Sequence, residues 1–291
     1  MRRLVLAVTL LPLLFSTVAG AIFVNSVKGN GIILPISKVY IRNDGSIEPS
    51  TVPIHRIGDI YTFTGDILNS TIEVQRDSII IDGAGFTLQG NGYYSGIYLK
   101  EKSNNITIRN MNILAFYTGV STFSSANIIV TGNVIHALDG LDFSVNSSNN
   151  QFFGNTLICS HTGKGCGIWI WGSFNSIINN SISNFSSNII IYDGNNNIVS
   201  KNYWSDYLTR YPNATEVGDS GIGDTPYVID ANNTDNYPFM APFIVPPSPP
   251  PEPQLAAETF PTVLVATASA ISVAVIGLGL FWHSLKRKNI E

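Results

Sequence analysis

The chain has 291 residues, of which 12% are charged, and a net charge of −4. It carries no basic stripe, which excludes a nucleic-acid binder. Its four histidines, two cysteines and three methionines are dispersed along the sequence, which gives no clustered metal motif and implies no cofactor.

The chain opens on an address label. Arg2 and Arg3 precede an apolar run from Leu4 to Val18, followed by the small residues Ala19-Gly20-Ala21. This pattern predicts a secretory signal peptide over 1–21, with an uncleaved signal anchor as the alternative. Residues 22–76 then read as an N-terminal cap and first coil, with strands at Tyr61-Thr62-Phe63 and Thr71-Ile72-Glu73-Val74.

A repeat occupies 77–202. The phrase apolar-x-x-Asn-x-apolar recurs as Val130/Asn133/Ile135, Phe152/Asn155/Leu157, Ile177/Asn180/Ile182 and Val199/Asn202/Trp204. One beat earlier Met111 stands in the Asn slot between Ile108 and Ile113, and before that Ala84 does so near Ile79 and Ile81. A beat of this size marks stacked units, each too short to bury a core alone. Ile106-Thr107-Ile108 and Ile168-Trp169-Ile170 alternate with period two, so the units are strands. Glycine and asparagine punctuate them as turns. A second phrase closes each coil, at Gly96–Leu99, Gly119-Val120, Gly140–Phe143, Gly167–Ile170 and Asn188–Ile191. The expected fold is therefore all-β, a right-handed parallel β-helix of about six coils. Asn133, Asn155, Asn180 and Asn202 are expected to stack as an inward ladder of hydrogen-bonded amides.

Cys159 and Cys166 fall in the one coil with an insertion, on either side of His161–Gly165. Outside the cell a disulfide is the expected reading, and a metal site with His161 is the alternative. Residues 203–243 read as a C-terminal cap, with Trp204, Tyr207, Tyr227 and Tyr237 as its apolar bulk. Asp219, Asp224, Asp230 and Asp235 in this tail read as solvated turn carboxylates, with Ca²⁺ ligation as the alternative. A Pro-rich stalk follows at 244–260. An apolar run at 261–283 is long enough to span a bilayer, and the basic tail at 284–291 places the C-terminus in the cytoplasm. The body is then expected at the cell surface, with the membrane as a partner. Seven Asn-x-Ser/Thr sequons, at Asn69, Asn105, Asn146, Asn179, Asn184, Asn213 and Asn232, are compatible with glycosylation.

Four segments carry a family resemblance: Tyr61–Asp66, Ile79–Gly85, Asn202–Tyr207 and Asp219–Tyr227. They resemble archaeal surface proteins of the NosD-like right-handed β-helix type, whose repeats are also described as carbohydrate-binding and sugar-hydrolase domains. The resemblance spans roughly residues 38 to 242. It implies a β-helix at the cell surface. The family name also implies copper delivery for nitrous-oxide reductase, which His55, His136, His161 and His283 and the three methionines do not support by their spacing.

Two function classes follow, with a third behind them. Sugar cleavage needs two carboxylates across a groove, and only Asp139, Asp142 and Asp193 are available between Asn104 and Asn202. Polysaccharide cleavage, by a hydrolase or a lyase, is the alternative these residues leave open. The favoured expectation is non-catalytic binding of a glycan or cell-envelope polymer. If Ile168 and Ile170 point inward, alternation turns Trp169 and Trp171 outward. The same register sets Tyr98, Phe123, Asp142 and Tyr192 alongside, making an aromatic strip. If the tail or the N-terminal segment covers that strip, a structural envelope scaffold is the reading instead.

Overall fold

The computed structural model describes residues 36–243. The signal peptide, stalk, membrane span and basic tail expected at 1–21 and 244–291 lie outside the described residues. Among the described residues no helix is long and apolar enough to cross a membrane.

The body is a parallel β-solenoid whose coils contribute strands to three rows. The first row contains Ile60–Phe63, Ile79–Asp82, Ile106–Arg109, Ile129–Thr131, Gln151–Phe153, Ser176–Ile178 and Ile198–Ser200, all parallel. Strand Ile54–Ile57 closes this row antiparallel, completing an eight-stranded sheet. The seven parallel rungs are one more than the six coils expected. The opening rung at Ile60–Phe63 is the strand expected at Tyr61-Thr62-Phe63.

Period-two alternation drives the packing. In the first row Tyr61, Ile81, Ile108, Val130, Phe152, Ile177 and Val199 fall in one register column, and all are buried. The second row stacks Ile67, Leu88, Ile113, Ile135, Leu157, Ile182 and Trp204. The third stacks Ile72, Ile97, Val120, Leu141, Ile168 and Ile189. Each such side chain contributes about 1.5–3 kcal/mol by leaving water. Beside the third column runs a glycine column in which adjacent coils come very close. A Cβ on Gly119 would lie 2.6 Å from the carbonyl oxygen of Gly140, and one on Gly140 would lie 2.3 Å from that of Gly167. No side chain fits there, which explains the glycine that opens four of the five closing phrases; the last coil opens on Asn188.

The amides of Asn133, Asn155, Asn180 and Asn202 form a continuous buried column. Asn133 Nδ2 donates to Asn155 Oδ1 at 3.1 Å, Asn155 Nδ2 to Asn180 Oδ1 at 3.0 Å, and Asn180 Nδ2 to Asn202 Oδ1 at 3.0 Å. Each Oδ1 also accepts the backbone N–H of the preceding asparagine. Each Nδ2 further donates to a carbonyl of an earlier coil, as Asn155 does to Val130 at 2.8 Å. The corner backbone is thereby satisfied without water. A second column, absent from the sequence reading, runs through Asn150, Asn175 and Asn197, with Nδ2-to-Oδ1 bonds of 3.1 and 3.2 Å. Its asparagines take the same 25- and 22-residue steps.

The last rung reaches Trp204, beyond the expected boundary at 202. Helix Tyr207–Arg210 and the antiparallel pair Tyr227–Val228 and Thr234–Asp235 then cover the open end. Trp204 stacks on Tyr227, with ring centroids 4.7 Å apart and planes 8° from parallel. Tyr237, expected as apolar bulk, is 55% exposed.

Candidate functional site

The third row positions the outward side chains of interest. Opposite the buried column, the register sequence is Tyr98, Ser121, Asp142, Trp169, Ile190. The next outward pairs are Phe123 with Ser144 and Trp171 with Tyr192. Trp169, Trp171 and Tyr192 form one aromatic group. Tyr192 lies 5.3 Å from the Trp169 ring and 6.0 Å from the Trp171 ring, centroid to centroid. Phe123, Trp171 and Tyr192 are exposed by 44%, 41% and 45%, which is large for aromatic rings on a folded body. Tyr98 and Trp169 are half-buried. Tyr98 is separated from Asp142 by Ser121, so it stands at the edge of the group.

Asp142 borders the ring cluster, one rung from Trp169. Its carboxylate accepts from the Ser144 hydroxyl. Burial raises its pKa above the ordinary carboxylate value, and the charge of Asp139 adds to the rise. Asp139 is also raised by burial, and its Oδ1 accepts the Cys166 backbone N–H at 2.8 Å.

The three acidic candidates do not share a groove. Asp139 aligns with Cys166, and Cys166 pairs with Ser187 in the next coil. Asp193 lies six residues beyond Ser187, so strand rise alone separates it from Asp139 by ~20 Å. Asp193 instead occupies an exposed turn beneath the cap. No acid is thereby set opposite Asp139 or Asp142 at the spacing that two-carboxylate hydrolysis requires.

Both cysteines carry free thiols, which corrects the expected disulfide. Cys159 Sγ is turned toward the carbonyls of His161 and Lys164, at 3.1 Å each. Cys166 Sγ donates to the Ile168 carbonyl at 3.3 Å, within its own strand. Burial, with Asp139 nearby, pushes the Cys166 thiol up to about 12. The tail carboxylates are not all solvated turns: Asp235 is fully buried against the end of the asparagine column. Asp224 is held by Thr215 and Thr225, and Asp230 by Asn232 and Asn233.

Soft metal donors are scattered. Met111 is sealed in the core in the slot before Asn133, and its N–H donates to Asn133 Oδ1. His136 is exposed, and its pKa is lowered by partial burial, with the His161 ring nearby. Among the described residues no three His, Cys, Asp or Glu side chains gather around a point that could hold a metal ion.

The aromatic group lies on an open face. A cleft of about 540 Å³ lies elsewhere, between Arg76, Asp77 and Lys100 to Ser103, and Arg76 there is already bound to Tyr61 and Asp59. A second exposed set, Tyr93, Tyr94 and Tyr117, was missed in the sequence. Its members sit at a corner outside the alternation, where Tyr117 N–H donates to the Tyr94 carbonyl. All seven sequon asparagines are exposed.

A family model described as "Periplasmic copper-binding protein (NosD)" matches residues 23–220. No curated protein and no solved structure matches the chain.

Proposed function

The chain belongs to the NosD family, and on that premise we propose that it is a non-catalytic, extracytoplasmic solenoid that binds a glycan or cell-envelope polymer along the strip of Tyr98, Phe123, Asp142, Trp169, Trp171 and Tyr192. The observation that carries this reading is the contact of Trp169 and Trp171 with Tyr192 on an open face. Aromatic faces stack on the apolar faces of sugar rings, and a carboxylate such as Asp142 accepts from hydroxyls. Successive coils repeat at ~4.8 Å, so the strip presents an extended array suited to a chain ligand.

The copper role in the family description does not fit these residues. Copper sites draw on clustered thiolate, thioether or imidazole donors. Here both thiols are buried and turned to backbone carbonyls, Met111 is in the core, and His136 bonds the Cys159 backbone with only the His161 ring as a further nearby imidazole. The membrane anchor at 261–283 belongs to this proposal, supported by a largely apolar run free of Asp, Glu, Lys and Arg and by the Lys286-Arg287-Lys288 cluster that follows.

The test is retention of the purified protein on immobilised envelope polysaccharides and on a glycan array, compared with the Trp169→Ala/Trp171→Ala double variant. The expected result is binding by the parent chain and its loss in the variant. Equal binding by a variant with unchanged melting temperature would overturn the proposal.

A further inference from the structure

The end of the solenoid holds a second feature, independent of the aromatic strip. A cleft of about 390 Å³ separates the turn after the last long strand from the C-terminal cap. Asp193 and Gly194 line it from the coil, and Asp230 and Asn233 line it from the cap. Among the described residues no lysine or arginine lines it. The Asp193 carboxylate makes no hydrogen bond or ion pair among the described residues.

Asn233 is the informative residue. It is 2% exposed. Its Nδ2 is committed, donating to the Gly194 carbonyl at 3.2 Å and to the two Asp230 oxygens at 2.9 and 2.8 Å. That fixes the orientation of the amide and leaves Oδ1 as an enclosed acceptor with no hydrogen-bond partner. Across the described residues it is the one buried side-chain polar atom in that condition. An enclosed oxygen without a donor keeps its desolvation penalty uncompensated. Two carboxylates on the same cleft add negative charge without a cation.

We propose that this cleft is a calcium site that fastens the cap to the last coil. The Asp193 carboxylate and Asn233 Oδ1 supply protein ligands, and Asp230 holds the amide in place and adds charge. The donors are oxygens only, which selects a hard cation, and the open cleft leaves room for the water ligands that Ca²⁺ accepts. So few protein ligands place the affinity in the weak range of extracellular calcium modules, with a Kd of about 10⁻⁴–10⁻³ M.

The experiment is a calorimetric titration of the chelator-treated full chain with CaCl₂, with melting curves in calcium and in magnesium. The expected result is one Ca²⁺ per chain and a melting temperature raised by about 3–6 °C at saturation, with magnesium far less effective. Asp193→Asn is the decisive variant. Asp193 has φ 47°, which asparagine tolerates, and its carboxylate anchors no other group, so the variant keeps the fold. It should weaken calcium binding at least tenfold, whereas Asp219→Asn, in the same tail but outside the cleft, should leave it unchanged. Absence of binding heat and of a melting shift in the parent chain, which would assign Oδ1 to a structural water, overturns the proposal. So does calcium binding by Asp193→Asn as tight as that of the parent.

Discussion

Asp235 ends the asparagine column by accepting from Asn202: its Oδ2 lies 3.2 Å from Asn202 Nδ2 and 2.9 Å from the Asn202 backbone nitrogen. The same oxygen takes the Trp204 indole N–H at 3.1 Å, and Oδ1 takes the Lys201 N–H at 3.0 Å. One carboxylate thus stands where the next coil would otherwise supply an amide oxygen. Asp235→Ala should leave these buried donors unmatched and destabilise the fold by about 3–5 kcal/mol. Urea denaturation checks this, and a loss below about 1 kcal/mol would contradict the capping role.

Within the column, Asn155→Ala removes the acceptor of both Asn133 N–H groups and the donor to Asn180. The expected cost is about 2–4 kcal/mol. Asn213→Ala, on an exposed asparagine, should change stability by less than about 0.5 kcal/mol.

On the strip, Trp171→Ala and Tyr192→Ala should each weaken polymer binding about three- to tenfold, from the loss of one stacking ring. Because the two rings touch, the double variant should lose less than the product of the single losses. Affinity measured across the four-member cycle tests this directly.

The thiols give a chemical readout. With Cys166 pushed up to about 12 and Cys159 buried, neither should react with iodoacetamide at neutral pH until the chain is unfolded. Reducing agent should leave the melting temperature unchanged. Mass spectrometry of the native protein distinguishes two free thiols from a bridged pair.

Asp142 should make stability depend on pH. Its folded pKa is raised, so the folded chain holds this proton more tightly than the unfolded chain does. Stability linked to it is fully present at low pH, below the unfolded value, and is lost as pH rises through the folded one. Asp142→Asn should therefore raise the melting temperature at neutral pH. That gain should shrink as pH falls toward the ordinary carboxylate range.

Much of this architecture was legible because the asparagine column demands the same side chain at a fixed beat, and the core demands alternation around it. The pairing of Trp169 with Ile190 and of Trp171 with Tyr192 followed from that register alone. The opening rung was legible from the alternation of Tyr61 and Phe63 alone, although no asparagine marks it. The second column was overlooked because Ile128, which is apolar, holds its slot one coil before Asn150. Asp235 could not be assigned, since it reaches Asn202 across 33 residues of irregular chain. The cysteine spacing was compatible with a bridge, but spacing does not say which carbonyl each sulfur faces.

The insertion between Leu157 and Ile168 has a broader consequence. These two residues are 11 apart, whereas their register partners Ile135 and Leu141 are 6 apart, yet both pairings are kept. The added residues bulge at a corner, and the rungs on either side stay aligned. Loops can therefore be lengthened or grafted at this bend without shifting the outer face, which keeps its graduations like a ruler whose edge has been notched.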